Sequence, residues 1–163
     1  MSQTDEMLTS AAAYADRFEK GHLPGKPTRA VAIVTCMDAR IDPNALLGLK
    51  EGDAHVIRNA GGVITDDEIR SLAISQSLLG TEEIVLIQHT DCGMLTFTDE
   101  EFAARLEEET GSRPEWSAKT FTDLDQNLRE SIGQIKDSPF VPRKDSVRGF
   151  VYEVESGRLR EVK

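Results

Sequence analysis

The sequence predicts an α/β fold, with a mainly parallel β-sheet of four to five strands flanked by helices and a helical arm at the amino terminus. Two observations support this prediction. Residues 30–36 and 83–88 are short, nearly continuous runs of apolar and β-branched residues, which is typical of strands buried on both faces of a parallel sheet. Segments with helical periodicity alternate with these strands, as expected when helices connect parallel strands.

The first element is a predicted helix over about residues 4–20, because apolar residues from Met7 to Phe18 recur at spacings of three and four. The glycines and prolines of residues 21–29 predict a linker. A helix set apart in this way packs either on a partner subunit or on its own sheet, and the sequence leaves both open. We therefore expect one domain over residues 1–163, with an arm (4–20), a linker (21–29) and a core (30–163).

Within the core, two capping boxes mark helix starts, Thr65 with Glu68 and Thr98 with Glu101. Gly80 and Gly111 are natural stops for these two helices. The remaining expected elements are a short helical stretch after Pro43, a strand at 55–58, a helix at 124–135 closed by Pro139, and a hairpin in 147–162 that turns at Ser156-Gly157.

Composition narrows the classes of function. The chain has 163 residues, which suffices for one sizeable core. Its net charge of -10 disfavours nucleic acid and anionic membranes as partners. No apolar run approaches the roughly 20 residues that span a bilayer. The chain has only two cysteines, too few for the disulfide framework of a small secreted domain. Its first residues are polar and acidic and do not resemble a signal peptide. We therefore expect the protein to be located in the reducing cytoplasm.

Both cysteines lie just beyond predicted strands. Cys36 ends the first strand, and the third strand is followed by His89-Thr90-Asp91-Cys92. The carboxyl ends of parallel strands share one edge of a sheet, where sites form, so these side chains can converge if the strands are neighbours. Two thiolates and one imidazole form a Zn²⁺ ligand set that leaves one position free, as in catalytic sites. The alternatives are apolar packing of the cysteines and, less favoured in a reducing compartment, a disulfide or redox pair.

Asp38 and Arg40 follow Cys36 at alternate positions, so in an extended chain the three side chains project to one side. Asp38 could be a fourth metal ligand. Alternatively, Arg40 could bind its carboxylate through two hydrogen bonds and hold it off the metal. An ordinary loop ion pair is the third interpretation.

These residues resemble the β-class carbonic anhydrases, and most closely the short actinobacterial-type members. The family pattern is Cys-x-Asp-x-Arg followed further along by His-x-x-Cys, which here reads Cys36 to Arg40 and His89 to Cys92. The segment Arg58-Asn59-Ala60-Gly61-Gly62 is similar to the family's Arg-Asn-Ala-Gly stretch. The resemblance is close over about residues 30–95. Met94 departs from it, since many members have glycine there.

The resemblance implies a Zn²⁺ enzyme that hydrates CO₂ reversibly to bicarbonate and a proton through a zinc-bound hydroxide. It implies Cys36, His89 and Cys92 as ligands and Asp38 with Arg40 as a catalytic pair. It also implies a homodimer or a dimer of dimers, with the arm reaching over the partner.

Other roles stay open at this stage. Asn59, Gly61 and Gly62 are candidates for shaping the substrate cleft. His55 and His22 could carry protons, although packing and surface roles are the more ordinary expectation for them. The alternative functions are hydrolysis of the CO₂-like molecules CS₂ or COS, and a non-catalytic zinc or thiol protein.

Overall fold

A computed structural model describes residues 2–163, and its centre is one five-stranded sheet. The strands are β1 (Val31–Cys36), β2 (Ala54–Asn59), β3 (Glu83–His89), β4 (Val147–Glu153) and β5 (Arg158–Val162). Their order across the sheet is β2-β1-β3-β4-β5. The first four are parallel, and β5 returns antiparallel to β4 through the turn at Ser156-Gly157. The predicted fold class and the hairpin are therefore confirmed, and the sheet is mixed.

Five α-helices accompany the sheet: α1 (Gln3–Ala15), α2 (Pro43–Leu47), α3 (Asp66–Ser77), α4 (Asp99–Thr110) and α5 (Leu124–Asp137). Both predicted capping boxes are present. The Thr65 amide donates to Glu68 Oε2 over 3.0 Å, and the Thr98 amide donates to Glu101 Oε2 over 2.7 Å. These contacts satisfy backbone donors that the first turn of a helix leaves free, which fixes where α3 and α4 begin.

The register of the strands places the motif residues at one edge. Strand β1 lies between β2 and β3, with Cys36 opposite Asn59 of β2 and Thr35 opposite Ile87 of β3. The loops that follow β1 and β3 therefore leave the sheet side by side. The main core lies below this edge, where apolar side chains of the strands pack with those of α3 and α5: Ala32, Val34, Leu72, Ile84, Leu86, Leu128, Ile135 and Val151 are fully buried.

The helical arm is shorter than predicted, and it is exposed. Helix α1 ends at Ala15, not near residue 20, because the chain tightens there into bonds from Arg17 and Phe18 to carbonyls three residues earlier. None of its residues is buried, and Met7 is 67% exposed. The arm therefore does not pack on its own sheet. Among the described residues, no helix is both long and apolar enough to cross a membrane.

Candidate active site

Three buried side chains meet at the carboxyl edge of the sheet. The sulfur atoms of Cys36 and Cys92 and a ring nitrogen of His89 all lie within 4.8 Å of one another. Cys36 is the last residue of β1 and His89 the last of β3, so the adjacency of these strands brings them together. Asp91 adopts a left-handed conformation (φ 55°), which allows the tight turn that returns Cys92 to the cluster. The structure thus assembles the three predicted ligands.

The hydrogen bonding of His89 determines which nitrogen is free. Its Nδ1 lies 2.9 Å from the carbonyl oxygen of Thr90. Because a carbonyl oxygen can only accept, Nδ1 carries the proton and Nε2 carries a lone pair. Nε2 is buried and has no hydrogen-bond partner within the part of the chain that the structure describes. A second ring nitrogen fixed by a backbone carbonyl is the usual arrangement of a metal-bound histidine, so His89 fits that role.

The environment of Cys36 favours a thiolate. The adjacent Cys92 thiol lowers the pKa of Cys36 below its usual range, although burial opposes the shift. The Gly61 amide also donates to Cys36 Sγ over 3.3 Å. The same interaction raises the pKa of Cys92, which keeps the proton that the two sulfurs share. Burial lowers the pKa of His89, but the neighbouring Cys36 thiolate outweighs this, so the net direction is upward. The donor set is therefore two sulfurs and one imidazole, which suits Zn²⁺.

Asp38 lies beside the cluster and is held by Arg40. The guanidinium donates from Nε to Asp38 Oδ1 over 3.0 Å and from Nη2 to Oδ2 over 2.8 Å. These bonds keep the pKa of Asp38 well below its usual range. Asp38 Oδ2 is 3.8 Å from His89 Nε2. Of the arrangements left open by the sequence, the structure has the one in which Arg40 binds the carboxylate through two hydrogen bonds.

Two further residues organise this pair. Arg40 Nη1 also donates to Asp91 Oδ2 over 2.7 Å, so the loops after β1 and β3 are joined by one guanidinium. Arg58 donates to the carbonyl oxygens of Cys36 (3.0 Å) and Asp38 (2.7 Å). Neither role was predicted. The sequence contains part of the information needed, since Arg58 ends a predicted strand and Asp91 lies between two candidate ligands.

The turn at residues 59–63 supports Cys36 from behind. The Asn59 side chain spans it, donating to Val63 O over 2.8 Å and accepting from Val63 N over 3.0 Å. Gly62 has a positive φ of 63°, and a Cβ there would lie 2.9 Å from the Cys36 backbone nitrogen. Asn59 and Gly61 line the cleft above the cluster, whereas Gly62 lies against the backbone of β1 and β3 and does not line it.

A cleft of about 590 Å³ opens over the cluster. Its lining is mainly apolar and includes an aromatic wall, which we define as Phe97, Phe102 and Trp116. The ring centroids of Phe97 and Phe102 are 5.4 Å apart, and those of Phe102 and Trp116 are 6.3 Å apart. Met94, the departure from the family pattern, is buried and also lines the cleft. A small uncharged molecule fits such a surface better than an ion does.

The two other histidines lie outside the cleft. His55 is near the amino end of β2, where its Nδ1 is 2.7 Å from Ser75 Oγ and its Nε2 is 3.4 Å from Gly25 O. His22 is exposed in the segment after α1. The arrangement around His55 is that of a packed, hydrogen-bonded side chain, so neither histidine is placed to serve the cluster directly.

The fold and site together define an α/β protein with a buried cluster of two cysteines and one histidine, able to hold a metal ion, at the edge of its sheet beside an apolar cleft. The family model for carbonic anhydrase matches residues 31–159. The chain belongs to the β-class carbonic anhydrase family, which confirms the resemblance seen in the sequence.

Relatives agree with this assignment along the whole chain. Beta-carbonic anhydrase 1 of Mycobacterium tuberculosis is 55% identical over 162 residues, which cover 99% of both proteins. The crystal structure of a carbonic anhydrase from Streptococcus mutans has a TM-score of 0.94 at 46% identity, covering 100% of this chain and 99% of that one. A carbon disulfide hydrolase of Saccharolobus solfataricus is 36% identical over 183 aligned positions, covering 96% of this chain and 87% of that protein.

Proposed function

We propose that this protein catalyses the reversible hydration of CO₂ to bicarbonate and a proton. The observation that carries the proposal is the buried Cys36, His89 and Cys92 cluster, whose unpartnered His89 Nε2 lies beside Asp38 at the base of an apolar cleft. The similarity to Beta-carbonic anhydrase 1 over the full chain supports the same reaction.

We propose Cys36, His89 and Cys92 as the protein ligands of Zn²⁺. The chemistry of the donor set fits, since one sulfur is stabilised as thiolate and the imidazole presents a free lone pair. Three protein ligands leave a position for a non-protein ligand. When bound, Zn²⁺ lowers the pKa of a water molecule so that it can act as a nucleophile near neutral pH.

Asp38 and Arg40 would orient the reacting water. Both carboxylate oxygens of Asp38 accept from Arg40, which keeps the side chain ionised and away from the ligand cluster. An ionised carboxylate can only accept hydrogen bonds, so it would fix the water with a lone pair directed at CO₂. The cleft would contribute by excluding bulk water and holding an uncharged substrate in place.

Stopped-flow CO₂ hydration by reduced, zinc-loaded protein, scanned from neutral to alkaline pH, tests the proposal. We expect activity in the wild type and none above background in Cys36→Ser, whose zinc content should fall as well. Thermal unfolding of the variant provides the control for folding. A wild type with zinc bound and no hydration at any pH would overturn the proposal.

Hydrolysis of CS₂ is the second candidate. The carbon disulfide hydrolase of S. solfataricus is 36% identical, and an apolar cleft also suits a linear, uncharged disulfide. Measuring H₂S release from CS₂ and COS beside CO₂ hydration, on the same preparation, ranks the substrates by kcat/KM. A non-catalytic zinc or thiol protein would instead tolerate Asp38→Ala with unchanged metal content and have no turnover to lose.

We further propose that the protein is a homodimer or a dimer of dimers in which α1 packs on the partner. The helix buries none of its residues in one chain and leaves Met7 and Leu8 exposed. Sedimentation analysis should show a dimer or a larger oligomer, and the double variant Met7→Asp, Leu8→Asp should shift the distribution toward monomer.

We also propose a cytoplasmic location, because a reducing compartment keeps the two cysteines of the proposed metal site as free thiols.

A further inference from the structure

Hydration of CO₂ releases one proton in each turnover, and some group in the cleft has to carry it away. Besides the two cysteine ligands, the ionisable side chains among the described lining residues are Asp38, Glu68 and Lys119. Arg40 holds Asp38 ionised through bonds to both of its oxygens, and the lone pairs that remain are assigned to orienting the reacting water. A protonated lysine has no acceptor. Glu68 is therefore the one that is both a base and free to accept.

The position of Glu68 is unusual for a carboxylate. It lies in the first turn of α3 and is only 5% exposed, although carboxylates are almost never fully buried unless paired. Its Oε2 accepts from the amide and hydroxyl of Thr65. Its Oε1 has no hydrogen-bond partner within residues 2–163. This atom does not belong to the fully buried unpartnered atoms, which are Gln88 Oε1 and His89 Nε2. Glu68 is also one of the residues that line the cleft.

Helix capping alone does not account for this arrangement. Glutamine caps a helix in the same way as glutamate and avoids the burial of a charge. The chain also contains a second capping box with the same contacts, in which Glu101 lies at the exposed start of α4 and away from the cleft. The two glutamates differ in their surroundings rather than in their local bonding, which makes one a matched control for the other.

We propose that Glu68 accepts the proton released in the cleft and passes it to buffer in solution, a role that rests on the proposed function. After bicarbonate has formed and left, the next water to enter the site loses one O–H proton through cleft water to the Glu68 carboxylate. The O–H bond breaks to leave the hydroxide that attacks the next CO₂, and Glu68 becomes the neutral acid. A buffer base then removes this proton and restores the carboxylate. No electrons are exchanged, and the products are bicarbonate and protonated buffer.

The test compares zinc-loaded Glu68→Gln with Glu101→Gln in stopped-flow hydration. In dilute buffer, kcat of Glu68→Gln should fall by about 100-fold, the order that a positioned proton-transfer group supplies. Its kcat/KM should stay unchanged, because removal of the proton to solution follows CO₂ addition. A small imidazole buffer should restore kcat in proportion to its concentration, and Glu101→Gln should match the wild type throughout.

A second readout does not depend on activity. In carbon-13-labelled, zinc-loaded protein, the Glu68 side-chain carboxyl resonance, assigned by its loss in Glu68→Gln, should move with pH, as it must if the group exchanges protons with water. A resonance that stays fixed across the stable pH range would overturn the inference. So would wild-type kcat in Glu68→Gln, or a joint fall of kcat and kcat/KM without buffer rescue, which indicates a structural role.

The two proposals fail differently. If wild-type protein hydrates no CO₂, the proposed function fails and this inference with it. If the wild type is active and Glu68→Gln equals it in dilute buffer, the inference alone fails.

Discussion

The two ends of the parallel strands each hold a histidine, and the two histidines are bonded differently. Near the amino end of β2, His55 has a partner at both ring nitrogens, and Ser75 continues the chain of bonds to Thr81. At the carboxyl end of β3, His89 has a partner at Nδ1, whereas its Nε2 is buried beside two sulfurs and has no partner among residues 2–163.

The difference teaches how to separate a structural polar cluster from a functional one. Leaving a buried polar atom without a partner costs free energy, so native proteins avoid it unless another group fills the place. The amino end is complete and contributes to stability. At the carboxyl end, the unpartnered His89 Nε2 beside two sulfurs is what a metal-ligand position would require.

Replacing each histidine with alanine gives the sharpest test of this comparison. His89→Ala should lose bound zinc and reduce CO₂ hydration to background, because it removes one of three ligands. His55→Ala should keep both and lose about 1 kcal/mol of the free energy of unfolding, as one hydrogen-bonded group is removed. Metal analysis, stopped-flow hydration and urea unfolding measure these outcomes. Zinc loss in His55→Ala would show that the two ends are not independent.

The next effect concerns Arg40. Arg40→Ala should lower hydration by about 100-fold with zinc content unchanged, since Asp38 loses the bonds that orient it. Arg160 is a matched control, because it also binds a carboxylate through two bonds, to Asp125 over 2.7 and 2.9 Å, at the surface. Arg160→Ala should leave activity intact and cost less than about 1 kcal/mol of stability. Wild-type turnover in Arg40→Ala would remove the catalytic pair from the mechanism.

A stability difference should distinguish two glycines with positive φ. Gly62→Ala should destabilise the protein by about 3 kcal/mol, because its Cβ would meet the Cys36 and Thr35 backbone. Gly157→Ala should cost about 1 kcal/mol, since only the left-handed conformation opposes it and no atom lies within 4 Å. Denaturant unfolding of both variants measures the difference, and equal losses would mean that the turn behind Cys36 can relax.

A smaller effect than that of Gly62→Ala is expected at the start of α4. Asp99 accepts hydrogen bonds from Ser117 and from the amide and hydroxyl of Thr120, and these lower its pKa from 3.8 to about 2. The depressed pKa means that this contribution is present above pH 4 and is lost as the pH falls toward 2. Asp99→Asn should therefore be less stable than wild type by about 1.5 kcal/mol at neutral pH.

The difference in the free energy of unfolding between Asp99→Asn and the wild type should become smaller at acidic pH. Urea unfolding of both proteins at several pH values measures it, and processes common to both, such as metal loss, cancel. A gap that stays constant from pH 7 to pH 3 would contradict the assignment.

Much of the fold could be predicted because its signals are local. Capping boxes such as Thr65 with Glu68 and buried runs such as 83–88 specify their own structure within a few residues. The predicted end of α1 was wrong by five residues, because the apolar spacing in the sequence continues to Phe18. In the structure Phe18 instead folds back after the helix, with its ring 5.6 Å from that of Tyr14.

The candidate ligands could also be predicted, because each lies at a strand end and two share one turn. The aromatic wall could not be predicted, because only tertiary packing brings its rings to the same cleft as Cys36. The roles of Arg58 and Asp91 have the same cause. Each depends on which strands become neighbours, and the local sequence carries no record of that contact. Glu68 was predicted as a cap, whereas its burial in the cleft was not.

The apolar lining of the cleft favours the uncharged substrate over the charged product. An uncharged gas gains by leaving water for such a surface, whereas an anion loses hydration there. A chain with a net charge of -10 adds a repulsion that only the anion feels. The cleft would thus act as a partition that enriches the reactant and rejects bicarbonate, so release of the anion needs no moving part.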